Sequence, residues 1–189
     1  MDRKSMMPYR KEIQMVFQDP YGSLNPRLTV GQMVAQGPII HGEKQIKAFQ
    51  KAIELLELVG LGPQAANRYP HEFSGGQRQR IGIARALALD PKILIADEPV
   101  SSLDVTIQAQ VLKLLDQIKQ KLNFSMLFIT HDLRVAAQVC DKIAVMYQGK
   151  IVEIGPTVNV FEDPQHEYTQ SLLDSIPGRN WINPYAKDF

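Results

Sequence analysis

The chain has 189 residues, 21 basic and 20 acidic side chains, and a net charge of +1. Hydrophobic residues make up 44% of it and charged residues 22%, which excludes a disordered chain, a collagen-like chain and a small disulfide scaffold. A near-neutral chain gives no electrostatic reason to expect a nucleic-acid partner. Its one cysteine, Cys140, fits a reducing compartment. No apolar run approaches the ~18 residues that a membrane-spanning helix needs, so we expect no such helix. The polar first residues lack the apolar core of a signal peptide, so we expect no signal peptide either.

The amino-terminal part predicts a strand, a loop and a helix. Ile13 to Phe17 alternates in polarity as a strand does. Residues 18–27 contain two prolines, a glycine and an asparagine, which indicate a loop. Residues 42–59 predict a helix with one apolar face, which ends at Gly60.

A second helix is predicted from Gln77 to Leu89, and Ser74-Gly75-Gly76 precedes it. Two glycines let a ligand approach the backbone, and free N–H groups at a helix start favour an anion. A phosphate contact is one interpretation; an ordinary serine N-cap with a glycine turn is the other, and for these residues alone it is favoured. The basic residues of this helix read as a solvated face; they are Arg78, Arg80 and Arg85.

Two short apolar runs predict strands of a parallel sheet that are buried on both faces. The first is 93–96 and ends in Asp97-Glu98, and the second is 126–129 and is followed by Thr130-His131. A helix is predicted between them over 105–122, and another over 133–139. Strands at 142–147 and 150–154 flank Gln148-Gly149 as a hairpin.

These elements predict an α/β domain with a mainly parallel core, whose chemistry lies at the carboxyl ends of the strands. Asp97 there is suited to hold Mg²⁺, and Glu98 to orient or activate a water. A solvated acidic turn is an equally simple interpretation of the pair alone. Gln18, at the end of the first strand, offers an amide oxygen to a metal or a water. His131 could contact a terminal phosphate.

The order of these patterns along the chain indicates a protein family more specifically than any single pattern does. It resembles the ATP-binding subunit of ABC transporters over nearly the whole chain. The matching segments are the Q-loop at Gln18, the signature motif at 73–77 with Phe73 in place of the commoner Leu, the Walker B strand at 93–98, the D-loop at 101–104 and the switch histidine at His131.

The resemblance implies a P-loop NTPase-like core with a helical signature-motif subdomain. Approximate parts are 19–89 for the Q-loop and helical subdomain, 90–155 for the catalytic core and 156–189 for a C-terminal tail. It implies ATP and Mg²⁺ as cofactors, Glu98 and His131 as catalytic residues, and Asp97 with Gln18 as Mg²⁺ ligands. The implied ATP contacts are Gln18, Ser74, Gly75, Gly76, Gln77 and Asp104.

The resemblance also implies partners. In this family two ATP-binding subunits face each other head to tail, and the Q-loop region contacts the membrane-spanning permease subunits. The chain would then lie peripherally on the cytoplasmic face of the membrane, with no nucleic-acid partner.

Two segments resemble the oligopeptide/dipeptide importer branch. They are residues 18–27 and the tail Pro164-Gln165-His166-Glu167-Tyr168-Thr169, in which Glu167 replaces the usual proline. Related systems carry nickel, sugars and other solutes, so the transported substrate stays open.

The phosphate-cradling sequence G-x-x-x-x-G-K-[ST] does not occur in the chain. We therefore expect a truncated form of the ATPase, an open sheet edge, and weak ATP binding with negligible hydrolysis by the chain alone. The alternative is a non-catalytic docking module, or a gene remnant, that lends only its signature motif to a partner's site. A soluble ABC-type ATPase of DNA repair or translation would need coiled-coil insertions or a second ATPase unit, which the sequence lacks.

Overall fold

The computed structural model describes residues 5–19 and 22–176, which form two compact units divided between Ile129 and Thr130. The first unit combines a parallel sheet with helices, and the second combines an antiparallel hairpin with helices. The predicted α/β class is thereby confirmed.

The sheet of the first unit has three parallel strands in the order β1-β2-β3. The strands are β1 (Ile13–Val16), β2 (Ile93–Asp97) and β3 (Ser125–Ile129). Val16 lies opposite Ala96, and Asp97 lies opposite Ile129. This register brings the carboxyl ends of all three strands to one edge, where Asp97 and Glu98 lie.

Burial differs between the two apolar strands. In β2 the side chains of Leu94 and Ala96 are completely buried. In β3 Leu127 is 56% exposed and Ile129 is 42% exposed, and in β2 Ile93 is 39% exposed on the face opposite Leu94, so the prediction that both strands are buried on both faces is wrong. Within the described residues β3 pairs only with β2 and forms one of the two outer edges of the sheet.

Five α-helices complete the first unit, with short 3₁₀ turns at Pro63–Asn67 and Pro70–Glu72. The helices are α1 (Met7–Glu12), α2 (Val30–Ile40), α3 (Gln45–Leu58), α4 (Gly75–Leu87) and α5 (Val105–Leu122). The bounds predicted for α5 are confirmed. Helix α2 was not predicted, because Gly31, Gly37 and Pro38 interrupt its pattern; a capping box between Thr29 and Gln32 starts it.

Helix α4 packs against α2, α3, α5 and β1. Its apolar side chains are completely or almost completely buried; they include Ile81, Ile83 and Leu87. The prediction of a solvated basic face on this helix is wrong. Arg78 is only 7% exposed, and its guanidinium donates to the carbonyl of Pro70 at 2.8 Å. Arg85 is partly buried and donates to the carbonyl of Ser23.

Over residues 130–176, the described part of the second unit, the chain forms a hairpin and three helices. Its elements are α6 (Leu133–Val139), β4 (Lys142–Tyr147), β5 (Lys150–Pro156), α7 (Thr157–Glu162) and α8 (Glu167–Asp174). The predicted hairpin is confirmed: Gln148 and Gly149 both have positive φ, at 48° and 76°, as a type I′ turn requires. Ala136, Ile143, Val145 and Val160 form the buried core of this unit.

The tail segment is fixed to the hairpin by one carboxylate. The backbone N–H groups of Gln165 and His166 donate to Glu153 at 3.0 and 3.1 Å. The Nδ1 atom of His166 accepts from the N–H of Tyr168 and caps α8. The segment that resembles the importer tail is therefore a folded helix start.

Candidate functional site

The strand ends bring two of the predicted site residues into contact. Gln18 lies two residues beyond β1, and Glu98 directly follows β2. The Nε2 atom of Gln18 donates a hydrogen bond to Oε2 of Glu98 at 2.9 Å. The two residues are 80 positions apart in the chain, so parallel pairing of β1 with β2 brings them together.

The backbone of Glu98 is strained and firmly held. Its φ is +44°, a conformation that costs a non-glycine residue about 1–3 kcal/mol. Its N–H donates to the carbonyl of Ile129 at 2.9 Å and extends the β2–β3 ladder by one bond. Its carbonyl accepts from both the N–H and the hydroxyl of Ser101, at 3.3 and 3.1 Å. These bonds fix the direction in which the carboxylate leaves the sheet.

Asp97 is the last residue of β2 and is partly buried. The carboxylate of Asp97 and the amide oxygen of Gln18 are hard oxygen ligands of the kind Mg²⁺ takes. The described part of the chain contains no group of three or more His, Cys, Asp or Glu residues placed to hold a metal. As oxygen ligands, Asp97 and Gln18 fit an ion that takes one or two protein ligands and completes its shell from water and phosphate, as Mg²⁺ does.

The start of α4 carries the glycines of the signature-like segment. Ser74 and Gln77 form a capping box: the Ser74 hydroxyl accepts from the Gln77 N–H at 3.4 Å, and the Gln77 amide accepts from the Ser74 N–H at 3.0 Å. A Cβ atom on Gly76 would overlap Cγ2 of Ile107, whereas one on Gly75 would meet Leu103 at an ordinary 3.8 Å. Gly76 therefore permits the close approach of α4 to α5.

Asp104 caps helix α5. Its Oδ1 accepts from the N–H of Ile107 at 2.9 Å. The same Ile107 packs on Gly76, so the D-loop-like segment 101–104 is tied to the start of α4. The ATP contact predicted for Asp104 stays a prediction, and its carboxylate has a structural role in this chain.

His131 belongs to the second unit and precedes α6. The neighbouring Asp132 caps that helix through the N–H of Arg134 at 2.9 Å. Side-chain hydrogen bonds from Arg134 hold the pKa of the Asp132 carboxyl below its usual value. The role of His131 beside Glu98 stays a prediction.

Sequence reasoning missed three residues that build this site. Ser101 fixes the turn after Glu98, Ile107 packs on Gly76, and Arg85 binds the segment that follows Gln18. Arg85 carried a usable signal: it is a charged residue inside the apolar run 83–87, where a solvated face is not expected.

Comparisons with known proteins define the class. Residues 1–101, more than half of the chain, match the ABC transporter family. The chain therefore belongs to that family, and the family implies nucleotide binding. The resemblance seen in the sequence is confirmed. No helix in the described residues is both long enough and apolar enough to cross a bilayer.

Two individual relatives are similar to this chain over most of its length. The chain is 54% identical over 177 residues to the oligopeptide transport ATP-binding protein OppF of Bacillus subtilis, covering 93% of this chain and 58% of that protein. It is 52% identical to the glutathione import ATP-binding protein GsiA of Pectobacterium atrosepticum, covering 89% of this chain and 27% of that protein. The chain thus spans less than two thirds of the length of these relatives.

A solved structure shares the fold. This is cbiO1 from Clostridium perfringens, described as part of the ABC transporter complex cbiONQ. It superposes with a TM-score of 0.77 at 29% identity, and the match covers 93% of this chain and 68% of that chain. The predicted P-loop NTPase-like class is confirmed by this likeness.

Proposed function

We propose that this chain supplies part of the ATP-hydrolysing subunit of a peptide-type ABC importer. Family membership and the similarity to OppF and GsiA, whose names state oligopeptide transport and glutathione import, support this assignment. The chain contributes the carboxylate, Q-loop and signature parts of such a site. Its own tail resembles that of the peptide branch at residues 164–169, and it departs from the branch at Glu167, where proline is usual.

The residue roles follow from the site. Glu98 orients the attacking water and accepts its proton, and Gln18 holds the carboxylate of Glu98 through their hydrogen bond. Asp97 is placed to hold Mg²⁺, which when bound neutralises phosphate charge. His131 is assigned to the terminal phosphate.

The signature segment serves a second nucleotide. Ser74 and Gly75 to Gln77 start α4, whose unpaired N–H groups and dipole favour phosphate. In a head-to-tail pair this end of α4 closes over ATP held by the partner subunit, and Asp104 lies in the same contact. The three parts proposed from the sequence, 19–89, 90–155 and 156–189, give the Q-loop and helical region, the catalytic core and the tail.

Membrane subunits are the second proposed partner. A groove of about 850 Å³ lies beside the Q-loop segment, lined by apolar side chains such as Phe17, Met33 and Ile40. We assign this groove to a cytoplasmic segment of the permease. The chain then works on the cytoplasmic face of the membrane.

One observation carries the proposal most directly: the 2.9 Å hydrogen bond between Gln18 and Glu98 at the carboxyl ends of adjacent parallel strands. It joins the segment beside the groove to the residue assigned as general base. A change at the membrane contact is thereby able to reach the chemistry.

The test is ATP hydrolysis by the subunit of which this chain is a part, assembled with the permease and a second ATP-binding subunit in lipid nanodiscs. Glu98→Gln is expected to lower the rate by about 100-fold or more, because it removes the proton acceptor. Glu57→Gln, at an exposed glutamate of α3, is the matched control and should leave the rate within about twofold of the wild type.

Two outcomes contradict the proposal. A complex whose hydrolysis is insensitive to Glu98→Gln would remove the assigned base. A complex that forms but does not hydrolyse ATP would favour the non-catalytic docking module. The chain alone is expected to hydrolyse ATP negligibly, and a fast rate abolished by Glu98→Gln would contradict that expectation.

A further inference from the structure

Arginine side chains of helix α4 form hydrogen bonds to neighbouring segments of the chain. The buried Arg78 donates to the carbonyl of Pro70 at 2.8 Å. Arg80, two residues on, donates to the carbonyl of Val59 at the end of α3 at 3.2 Å. In each bond a guanidinium from α4 holds a backbone carbonyl of another segment, which restrains that segment whatever its side chains are.

Arg85 makes the third hydrogen bond from α4 to a backbone carbonyl, and this carbonyl belongs to a loop. Its guanidinium donates to the carbonyl of Ser23, in the loop that follows Gln18. Burial lowers the pKa of Arg85 below its usual value, so the cation lies in partly desolvated surroundings. Arg85, Ser23 and Gly22 all line the groove that we assign to the permease.

The residues next to Ser23 are also held in place. Leu24 is buried to 5% exposure. Beyond it, Asn25 closes a local turn by accepting from the N–H of Arg27 at 3.0 Å, a bond within the loop itself. The Arg85 bond ties the backbone of this loop to α4.

Helix α4 connects this bond to the signature segment. Arg85 lies ten residues after Gly75, which is about 15 Å along a helix. Because α4 is well packed, it moves as a rigid body, and a displacement at Arg85 also displaces the start of the helix. That start contacts α5 closely, where Gly76 meets Ile107.

We propose that Arg85 is a positioning residue that couples the loop 22–24 to the signature segment 74–77 through α4. The inference rests on the proposed function, because it assigns a regulatory connection to the same site. When a permease segment displaces the loop, the Arg85–Ser23 bond transmits the displacement to the end of α4 that closes on the partner's nucleotide. Gln18 carries the parallel connection from the same loop to Glu98.

The first test is hydrogen exchange on the chain itself, with three variants. Arg85→Met keeps the apolar stem and removes the donor, and Arg85→Lys keeps a donor. Arg80→Met removes the bonds that another arginine of the helix makes to Val59 and Gln110. In Arg85→Met the amides of 22–28 should exchange about tenfold faster than in the wild type. Arg85→Lys should restore most of the protection, and Arg80→Met should affect residues 59–61 instead.

The second test is the ratio of ATP hydrolysis with the permease to hydrolysis without it, measured in the assembled complex. Arg85→Met should lower this ratio by about tenfold, while Arg80→Met keeps it within about threefold of the wild type. An unchanged ratio in Arg85→Met, or an equal fall in Arg80→Met, overturns the coupling role.

The two tests separate this inference from the proposed function. If the wild-type complex hydrolyses ATP but Arg85→Met behaves like the wild type, only the inference fails. If the wild-type complex does not hydrolyse ATP, the proposed function fails and the coupling role fails with it. Unchanged exchange of 22–28 in Arg85→Met overturns the inference in either case.

Discussion

The start of α4 and the end of β2 are both parts of the candidate site, but they are held in different ways. At the start of α4, Gly76 packs closely against the side chain of Ile107, and Ser74 and Gln77 form a capping box. The end of β2 holds Glu98 in a strained backbone conformation, and its carboxylate accepts from Gln18, on another segment. The first arrangement is rigid, and the second depends on where the loop after β1 lies.

The difference teaches which part of the site is preformed. A helix end that acts on a partner's nucleotide needs a fixed shape, because it must match a surface it does not carry. A general base benefits from a contact that loop movement can change, since its activity can then follow the state of the transporter.

The largest expected effect comes from Gly76→Ala. The added methyl overlaps Ile107, so the substitution should lower the free energy of unfolding by about 1–3 kcal/mol. Urea unfolding measures this change in the free energy of unfolding. Gly82→Ala is the matched control on the same helix: nothing lies within 4 Å of its added methyl, and it should stabilise by about 0.5–1 kcal/mol. Equal destabilisation by both would mean that the contact with α5 is not the constraint.

Ser74→Ala should cost about 1 kcal/mol, because the N-cap of α4 is lost. Thr29→Ala removes the equivalent capping box of α2 and should cost about the same. Only Ser74→Ala should also lower ATP hydrolysis by the complex. Ser74→Asp sharpens the distinction: it retains a capping oxygen but places a negative charge where phosphate is expected, so stability is kept and hydrolysis falls.

Gln18→Ala should change stability little, by about 0.5 kcal/mol, because its hydrogen bond to Glu98 is exposed to solvent. Hydrolysis by the complex should nevertheless fall by about tenfold or more. Gln120→Ala, on α5, loses an exposed hydrogen bond to Asp116 and should retain activity. A Gln18→Ala variant with wild-type turnover would show that the Gln18–Glu98 hydrogen bond is not needed for hydrolysis.

The smallest expected effect concerns the second unit and pH. Arg134 lowers the pKa of Asp132 in the folded chain, so ionised Asp132 stabilises the fold. That stabilisation is complete above the unfolded pKa of about 3.9 and is lost as the pH falls through the lower folded value. Asp132→Asn should remove it, at a cost of about 0.5 kcal/mol or less at neutral pH.

Urea unfolding at pH 7 and at about pH 3 measures this, with the exposed Asp163→Asn as control. The wild type should lose its advantage over Asp132→Asn at the lower pH. The neutral cap at Ser74 should show no such dependence. A difference between wild type and Asp132→Asn that persists at low pH would contradict the charge-based account of this cap.

Much of the fold could be predicted from the sequence, since strong periodicity gave the bounds of α5 and α6 and the hairpin of β4 and β5. Helix α2 could not, because its glycines and Pro38 hide a helix that tertiary packing stabilises. The two tail helices α7 and α8 could not be predicted, because helices of 6 and 8 residues are too short to show a clear helical period.

The sequence could place the candidate residues at strand ends and helix starts, but it could not predict their contacts. Order along the chain located Gln18, Ser74 and Glu98, because each ends a strand or starts a helix. The arginines of α4 were misread as solvated, because charge in a sequence does not reveal that a carbonyl of a distant segment lies within reach. Such long-range bonds depend on tertiary structure, which local pattern does not encode.

The open edge of β3 has a consequence for symmetry. Two copies related by a two-fold axis that pair along this edge would run antiparallel, with Leu127 and Ile129 of each copy in the same contact. Such a contact is self-complementary and closes after two copies, so it would compete with the head-to-tail pairing that we propose for the nucleotide site. A lysine introduced at Leu127 would oppose the first association by like-charge repulsion across the axis and leave the signature segment untouched.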